Sequence, residues 1–294
     1  DVIRRYCAVM DDEAALLAST AAPIVLLDAN GPEKLPEAIA PGLRTLGFML
    51  PTTPLHALLL RRMGRPVVMT SGNLSDAPQV IADADAKAEL AGIAAFALIH
   101  ERDILNRVDD SVVCVADGRA RVLRRARGYA PSPVQLPRGF EAAPEILALG
   151  GDLKTTFCVM KAGAAVLSQH IGDLVDGRTY TDFVRTICLY RDMLAATPQV
   201  IVRDRHPGYH SSSYAQTLAR VGGLPLVEVQ HHHAHVASCL AENGWPLDGA
   251  PVLGIALDGL GFGDDSSIWG GEFLLADYSR FGRLATFKPV AMLG

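Results

Sequence analysis

The chain has 294 residues, 49% of them hydrophobic and 20% charged. That is enough apolar material for sizeable cores in about two domains of roughly 100–200 residues each, and it excludes a largely disordered chain. The 27 basic and 32 acidic residues give a formal net charge of −5, so no global positive field drives non-specific nucleic-acid binding.

Taken in order, residues 1–5 (Asp1-Val2-Ile3-Arg4-Arg5) carry neither an initiator Met nor a signal-peptide core, and no apolar run reaches the ~20 residues of a membrane helix. The expectation is a cytoplasmic globular chain with no membrane and no nucleic-acid partner. Residues 23–27 form a short apolar run ending in the turn cluster Asp28-Ala29-Asn30-Gly31, which predicts a strand. Thr53, Pro54 and Gly64 write an N-cap, a first-turn proline and a C-terminal stop around a short helix. Residues 66–70 predict a buried strand running into Ser71-Gly72-Asn73, and the apolar stretch 91–99 suits a buried element. Residues 111–115, the turn Asp117-Gly118 and residues 120–124 predict a hairpin.

Prolines 131, 133, 137 and 144 interrupt the pattern, and residues 136–144 read as a linker between a first domain, 1–135, and a second, 145–294. The second opens with a strand at 146–149 feeding Gly150-Gly151. Further strands are predicted at 163–167, 200–202 and 252–257, with a helical stretch over 180–195. Strands and helices mixed in both halves predict an α/β or α+β chain with ligand sites at strand ends. The chain stops at Met292-Leu293-Gly294 with no closing helix, as a cut chain would. Five cysteines, Cys7, Cys114, Cys158, Cys188 and Cys239, show no C-x-x-C pair, so neither a disulfide framework nor a zinc finger is expected; most are read as small buried residues.

Four segments carry candidate chemistry. In Gln230-His231-His232-His233-Ala234-His235, a helix would place His231 and His235 on one face, able to meet one metal ion. Asp258, at the end of the strand 252–257 and followed by Gly-Leu-Gly, offers an oxygen ligand. Two imidazoles and a carboxylate suit Fe, Zn or Mn without choosing among them. The plain structural alternative is a His-rich helix cap beside a surface turn. Ser71-Gly72-Asn73 supplies neutral donors suited to phosphates but is also ordinary turn chemistry. The arginine-rich runs around Arg107, Ser111 and Arg124 suit phosphate or carboxylate clamps, or a solvated ion-pair network. Gly150-Gly151-Asp152-Leu153-Lys154-Thr155-Thr156 has the residues to hold nucleotide phosphates and their metal, without Walker spacing. His170 and His206 are further polar clusters at apparent element ends.

Set in order, Met69-Thr70-Ser71-Gly72-Asn73, Arg107-Val108-Asp109-Asp110-Ser111-Val112, Arg124-Arg125-Ala126-Arg127-Gly128-Tyr129, Gly151-Asp152-Leu153-Lys154, Gln169-His170-Ile171-Gly172-Asp173, the histidine run, Ala256-Leu257-Asp258-Gly259 and Ile268-Trp269-Gly270-Gly271-Glu272-Phe273 resemble one family, the hydrogenase-maturation carbamoyltransferases called HypF. The resemblance implies the latter part of a YrdC-like twisted-sheet domain over 1–135 and the first part of an actin-like, RNase H-like ATPase domain over 145–294, both incomplete. It implies that a carbamoyl group from carbamoyl phosphate is activated with ATP as carbamoyl-adenylate, Mg accompanying the ATP. Transfer to the C-terminal cysteine of a partner, HypE, for cyanide-ligand synthesis follows. By the same resemblance Ser71, Asn73, Ser111 and Arg124 belong to the adenylate pocket, and His231, His235 and Asp258 to a divalent metal site, zinc among its candidates; no catalytic residue is assigned. Thr155 stands where Asn is commoner, and Arg203-Asp204-Arg205-His206-Pro207 departs from the usual His-Asp-Leu-His-Pro run. The competing expectations are a tRNA threonylcarbamoyladenosine synthesis protein, which shares both folds, and an inert fragment that only binds nucleotide or a partner. With parts of both domains absent, the chain by itself is expected to be inactive.

Overall fold

The apolar run after Pro23 becomes strand β1 (Ile24–Asp28), its alternate residues Val25 and Leu27 fully buried. In this computed structural model, which describes residues 1–75 and 77–290, the chain divides into two compact units, Asp1–Pro131 and Ser132–Gly294. The expected end at Met292, Leu293 and Gly294 lies outside the described residues.

In the first unit α1 (Asp11–Leu17) precedes β1, with three acidic residues in its first turn, where the helix dipole favours them. Then follow β2 (Thr45–Phe48), α2 (Pro54–Met63), α3 (Asp83–Glu89), β3 (Val112–Ala116) and β4 (Arg119–Arg124). The sheet order is β2-β1-β3-β4, with β1 and β3 parallel and the other pairs antiparallel. Val25, Leu27 and Val113 pack with Cys7 and Leu17. The hairpin turns where expected: Asp117 and Gly118 both have positive φ, 52° and 67°, matching the handedness a two-residue hairpin needs. Helix α2 has the boundaries its sequence announces, with Thr53 Oγ1 accepting from the His56 N–H at 3.1 Å and Gly64 left-handed at φ 64°.

Two expectations here are overturned. Residues 66–70 form no strand, and Val68 and Met69 are exposed. The stretch 91–99 is not buried either; Phe96 is 95% exposed. A strand needs a neighbour to satisfy its backbone ladder, and among the described residues neither segment finds one, so their apolar character goes unburied. The four-stranded sheet uses the remaining strand-forming runs.

The second unit carries β5 (Val134–Gln135), β6 (Ile146–Ala148), β7 (Cys158–Lys161), β8 (Ala164–Leu167), α4 (Gly177–Met193), β9 (Val200–Asp204), α5 (His210–Gly222), β10 (Leu226–Val229), α6 (His231–Glu242), β11 (Val252–Phe262), β12 (Ile268–Ala276) and β13 (Phe281–Thr286). Six strands form one mixed sheet in the order β10-β9-β6-β7-β8-β5, with β6, β9 and β10 parallel. Leu147, Phe157, Val159, Phe183, Ile187 and Ile201 centre its core with α4 and α5. Strands β11, β12 and β13 form a separate antiparallel sheet. The segment read as a linker is folded onto this unit. Just before it strand β5 pairs with β8; within it the Leu136 N–H donates to the Gly163 carbonyl at 3.0 Å and Phe140 meets Tyr278 edge-on at 5.2 Å. Its prolines conceal apolar residues at 136 and 140 that have something to bury against. Among the cysteines, Cys7 is buried and burial pushes the Cys158 thiol up to about 11, but Cys188 and Cys239 are exposed, against expectation.

Candidate functional site

Helix α6 begins at His231 because Gln230 caps it: the buried Gln230 Oε1 accepts from the His233 N–H at 2.9 Å. One turn separates His231 from His235, and their Nε2 atoms lie 3.2 Å apart. Strand β11 passes beneath. Its residues Gly254 and Ala256 face inward and are buried, and the period of two brings Asp258 to the same side. Immediately beyond, β11 advances four residues while β12 advances two, between the pairs Leu257–Gly271 and Gly261–Trp269. Such a bulge re-registers the strand, so that Gly261 also faces inward. Side chains at 254 and 261 would collide with Val236 and His232 of α6; glycine there lets helix and strand approach closely on both sides of Asp258.

Asp258 Oδ2 lies 3.0 Å from His231 Nε2 and 3.4 Å from His235 Nε2. The three donor atoms thus form a triangle with sides of 3.0, 3.2 and 3.4 Å. Around a metal held at about 2.0–2.2 Å, neighbouring ligand atoms sit roughly 3 to 3.5 Å apart, so the set fits a metal ion, and it is the one such group of His, Cys, Asp or Glu among the described residues. His231 Nδ1 meets Asp204 Oδ2 at 2.6 Å. That hydrogen bond, then the charges of Asp204 and Asp258, raise the His231 ring above its ordinary value against the opposing effect of burial. Burial opposes ionisation of Asp258, but the Gly259 N–H, the two imidazoles and the Leu260 N–H hold it below the usual carboxylate range. His232 lies fully buried beneath, pushed down by burial and by the neighbouring His231.

Two residues here were not singled out in the sequence. Asp204, the last residue of β9, lies in the departing Arg203–Pro207 segment. Tyr209, just before α5, stacks on His206 with ring centres 4.1 Å apart. Burial, and then the charges of Asp204, Asp152 and Asp258, push its phenol up. In the sequence Asp204 shows nothing beyond its place just after the strand-like run 200–202. Two residues of the glycine turn have structural partners. Asp152 is buried and its oxygens accept from the His210 N–H (2.8 Å), His210 Nδ1 (2.8 Å) and the Ser211 N–H (3.0 Å), so it caps α5. Thr155 Oγ1 donates to the Gly151 carbonyl at 2.7 Å. His206 Nδ1 accepts from the Gly208 N–H, and His170 is half-buried.

The expected adenylate residues of the first unit differ in exposure. Ser71 and Asn73 are exposed, and the Ser71 hydroxyl donates to Asn73 Oδ1. Ser111 is fully buried; its Oγ donates to the Arg127 carbonyl at 2.9 Å and accepts from the Ala126 N–H at 2.8 Å. Arg124 ends the exposed strand β4. Among the described residues no hydrogen bond or ion pair joins the turn to Ser111 or Arg124.

The fold and the cluster define a two-unit α/β protein whose second unit carries two histidines and one carboxylate at metal-ligand spacing. Residues 1–126 match the Sua5/YciO/YrdC family model described as telomere recombination. Residues 141–242 match the HypF Kae1-like domain, and residues 254–294 the second subdomain of the carbamoyltransferase Kae1-like domain. The chain is 48% identical, over 99% of its length, to carbamoyltransferase HypF of Rhodobacter capsulatus, of which it covers 39%. A full-length HypF solved in a phosphate- and nucleotide-bound form is 44% identical, with a TM-score of 0.87, covering 96% of this chain and 43% of that one. The HypF structure from T. kodakarensis is 38% identical, with a TM-score of 0.88, covering 96% and 37%. The chain belongs to the HypF family: a YrdC-like unit followed by a HypF Kae1-like unit. It spans about two fifths of the length of the curated relatives it matches.

Proposed function

We propose that these residues are part of an ATP-dependent carbamoyltransferase of hydrogenase maturation. Hydrolysis of carbamoyl phosphate releases inorganic phosphate and carbamate, and the YrdC-like unit contributes to the next step, in which a carbamate oxygen bonds to the α-phosphorus of ATP and pyrophosphate leaves, giving carbamoyl-adenylate. The Kae1-like unit then presents that adenylate to a thiolate, in this reading the C-terminal cysteine of HypE. The sulfur attacks the carbamoyl carbon, the bond from that carbon to the AMP phosphate oxygen breaks, and AMP leaves. The observation that carries this reading is the convergence of His231, His235 and Asp258 at metal-ligand spacing in a unit matching the HypF Kae1-like models.

When bound, a divalent metal would neutralise phosphate charge and fix the orientation of the nucleotide. Iron, zinc and manganese all suit the donor set, and Mg is expected with ATP. The chain's own part is to hold the donors in place: the Gln230 cap sets where α6 starts, and the inward-facing glycines of β11 set how near Asp258 comes. Ser71, Asn73 and Arg124 are proposed as nucleotide contacts that do not form one site in these residues alone. Ser111 supports them through the backbone around Ala126 and Arg127 rather than by facing a ligand. The 294 residues by themselves are therefore proposed to bind metal but not to complete the reaction. The test is carbamoyl-phosphate-dependent ATP–pyrophosphate exchange, on this chain and on a protein extended to the relatives' length. Exchange by the extended protein alone, lost in Asn73→Ala, supports the reading. Exchange with threonine and bicarbonate instead of carbamoyl phosphate overturns it in favour of tRNA modification.

A further inference from the structure

His231 differs from His235 in what lies behind it. Asp204 is buried at the end of β9, its side chain 7% exposed. Its Oδ2 meets His231 Nδ1 at 2.6 Å and its Oδ1 accepts from the His206 N–H at 2.8 Å. Its backbone carbonyl accepts from the Ser212 hydroxyl at 3.0 Å. Both carboxylate oxygens thus have partners, and the residue is tied to the following loop and to α5. His235 has no carboxylate behind its ring among the described residues; it is 56% exposed and meets its neighbours only through Nε2.

We infer that Asp204 is a positioning residue that holds His231 as the Nδ1–H tautomer with a bare Nε2 turned to His235 and Asp258. Carboxylates face both ring nitrogens, Asp204 Oδ2 at 2.6 Å from Nδ1 and Asp258 Oδ2 at 3.0 Å from Nε2; a carboxylate only accepts hydrogen bonds, and the closer, more buried Asp204 takes the single proton of the neutral ring on Nδ1, leaving the lone pair on Nε2. Asp204 cannot itself join the trio, because it sits against the opposite ring nitrogen of His231 from the one that faces Asp258. A carboxylate behind a ligating histidine fixes both ring orientation and tautomer, and its loss typically weakens metal binding 10–100-fold. The inference rests on the reading of His231, His235 and Asp258 as metal ligands. It gives a task to the Arg203–Pro207 segment, whose departure from the family pattern left its role open.

The test reads the tautomer and the metal separately, on the whole 294-residue chain. In metal-free protein, above the pH range in which imidazoles protonate, nitrogen NMR of the His231 ring reports which nitrogen carries the proton. Cobalt(II) affinity and visible absorption report the metal site. The expected result is Nδ1–H in the wild type. Asp204→Asn, whose amide can donate to Nδ1, should shift His231 toward Nε2–H, weaken cobalt(II) binding about 10–100-fold and change the absorption bands. Asp204→Glu should recover part of the affinity, while His235→Ala should weaken binding with the His231 tautomer unchanged. An Nε2–H ring in the wild type overturns the inference even if Asp204→Asn does not fold, as does a folded Asp204→Asn with wild-type cobalt affinity. Failure of the wild type to take up cobalt(II), with Nδ1–H in place, overturns instead the metal reading on which it rests.

Discussion

The two units meet the same demand, gathering distant polar residues at strand ends, with opposite results. In the second, α6 and β11 pack through small inward-facing residues, and two histidines one turn apart converge within 4.8 Å on an aspartate more than twenty residues further along the chain. In the first, Ser71 and Asn73 hydrogen-bond to each other in an exposed turn, and the apolar segments beside them stay in solvent. Local chemistry was adequate in both cases. What differs is whether the chain supplies the packing partners that burial and strand pairing require. A motif at the end of a strand becomes a site only when the strand itself has neighbours.

That contrast can be broken or sharpened by substitution. The largest effect is expected at the assembled site: Asp258→Ala should weaken cobalt(II) binding by about 100-fold in calorimetric titration, because it removes the anionic ligand of the set. Next comes Glu272 on β12, fully buried with Arg283 bonded to both its oxygens, Nε to Oε2 at 2.7 Å and the second guanidinium contact at 2.9 Å, and Arg283 lying over Trp269. Glu272→Ala should lower the stability of the second unit by about 2 kcal/mol in denaturant unfolding, at the lower end for a broken charged hydrogen-bond pair because Arg283 keeps access to water. Thr53→Ala removes the cap of α2 and should destabilise the first unit by about 1 kcal/mol, read as loss of helicity with cobalt binding unchanged.

The smallest effect is a pH dependence. Burial opposes ionisation of Asp152, yet the N–H groups of Ser211 and His210 and the His210 ring hold its carboxyl below the ordinary value. A carboxyl depressed in the folded state stabilises it above the unfolded value of about 3.9, and that contribution disappears as pH falls through the folded value. Acid unfolding of the second unit should therefore steepen below about pH 4, and Asp152→Asn should flatten that slope. An unchanged acid transition would mean that Asp152 does not support α5.

Much of this was legible in residues. Thr53, Pro54 and Gly64 marked both ends of α2, and Asp117-Gly118 marked the hairpin, because caps and positive-φ turns are local chemistry. The His231–His235 spacing and Asp258 at a strand end marked three residues that the fold does bring together. What sequence could not show depends on contacts distant along the chain. Ser111 reads as a ligand-facing hydroxyl, but the backbone near Ala126 takes it. Nothing near Asp152 in sequence shows that its oxygens accept from the first residues of α5, nearly sixty residues on. Residues 66–70 read as a strand because their apolarity is local, whereas pairing is not. Asp204 gave no motif signal, since its meaning comes only from facing His231.

The most direct measurement is the amount of zinc(II) retained per chain after equilibration and desalting, in the wild type and in a His231→Ala, His235→Ala double variant, with circular dichroism to show that both are folded. The expected result is one zinc per wild-type chain and none in the double variant. Equal retention in both would contradict the assignment of His231, His235 and Asp258 as the metal centre of the second unit.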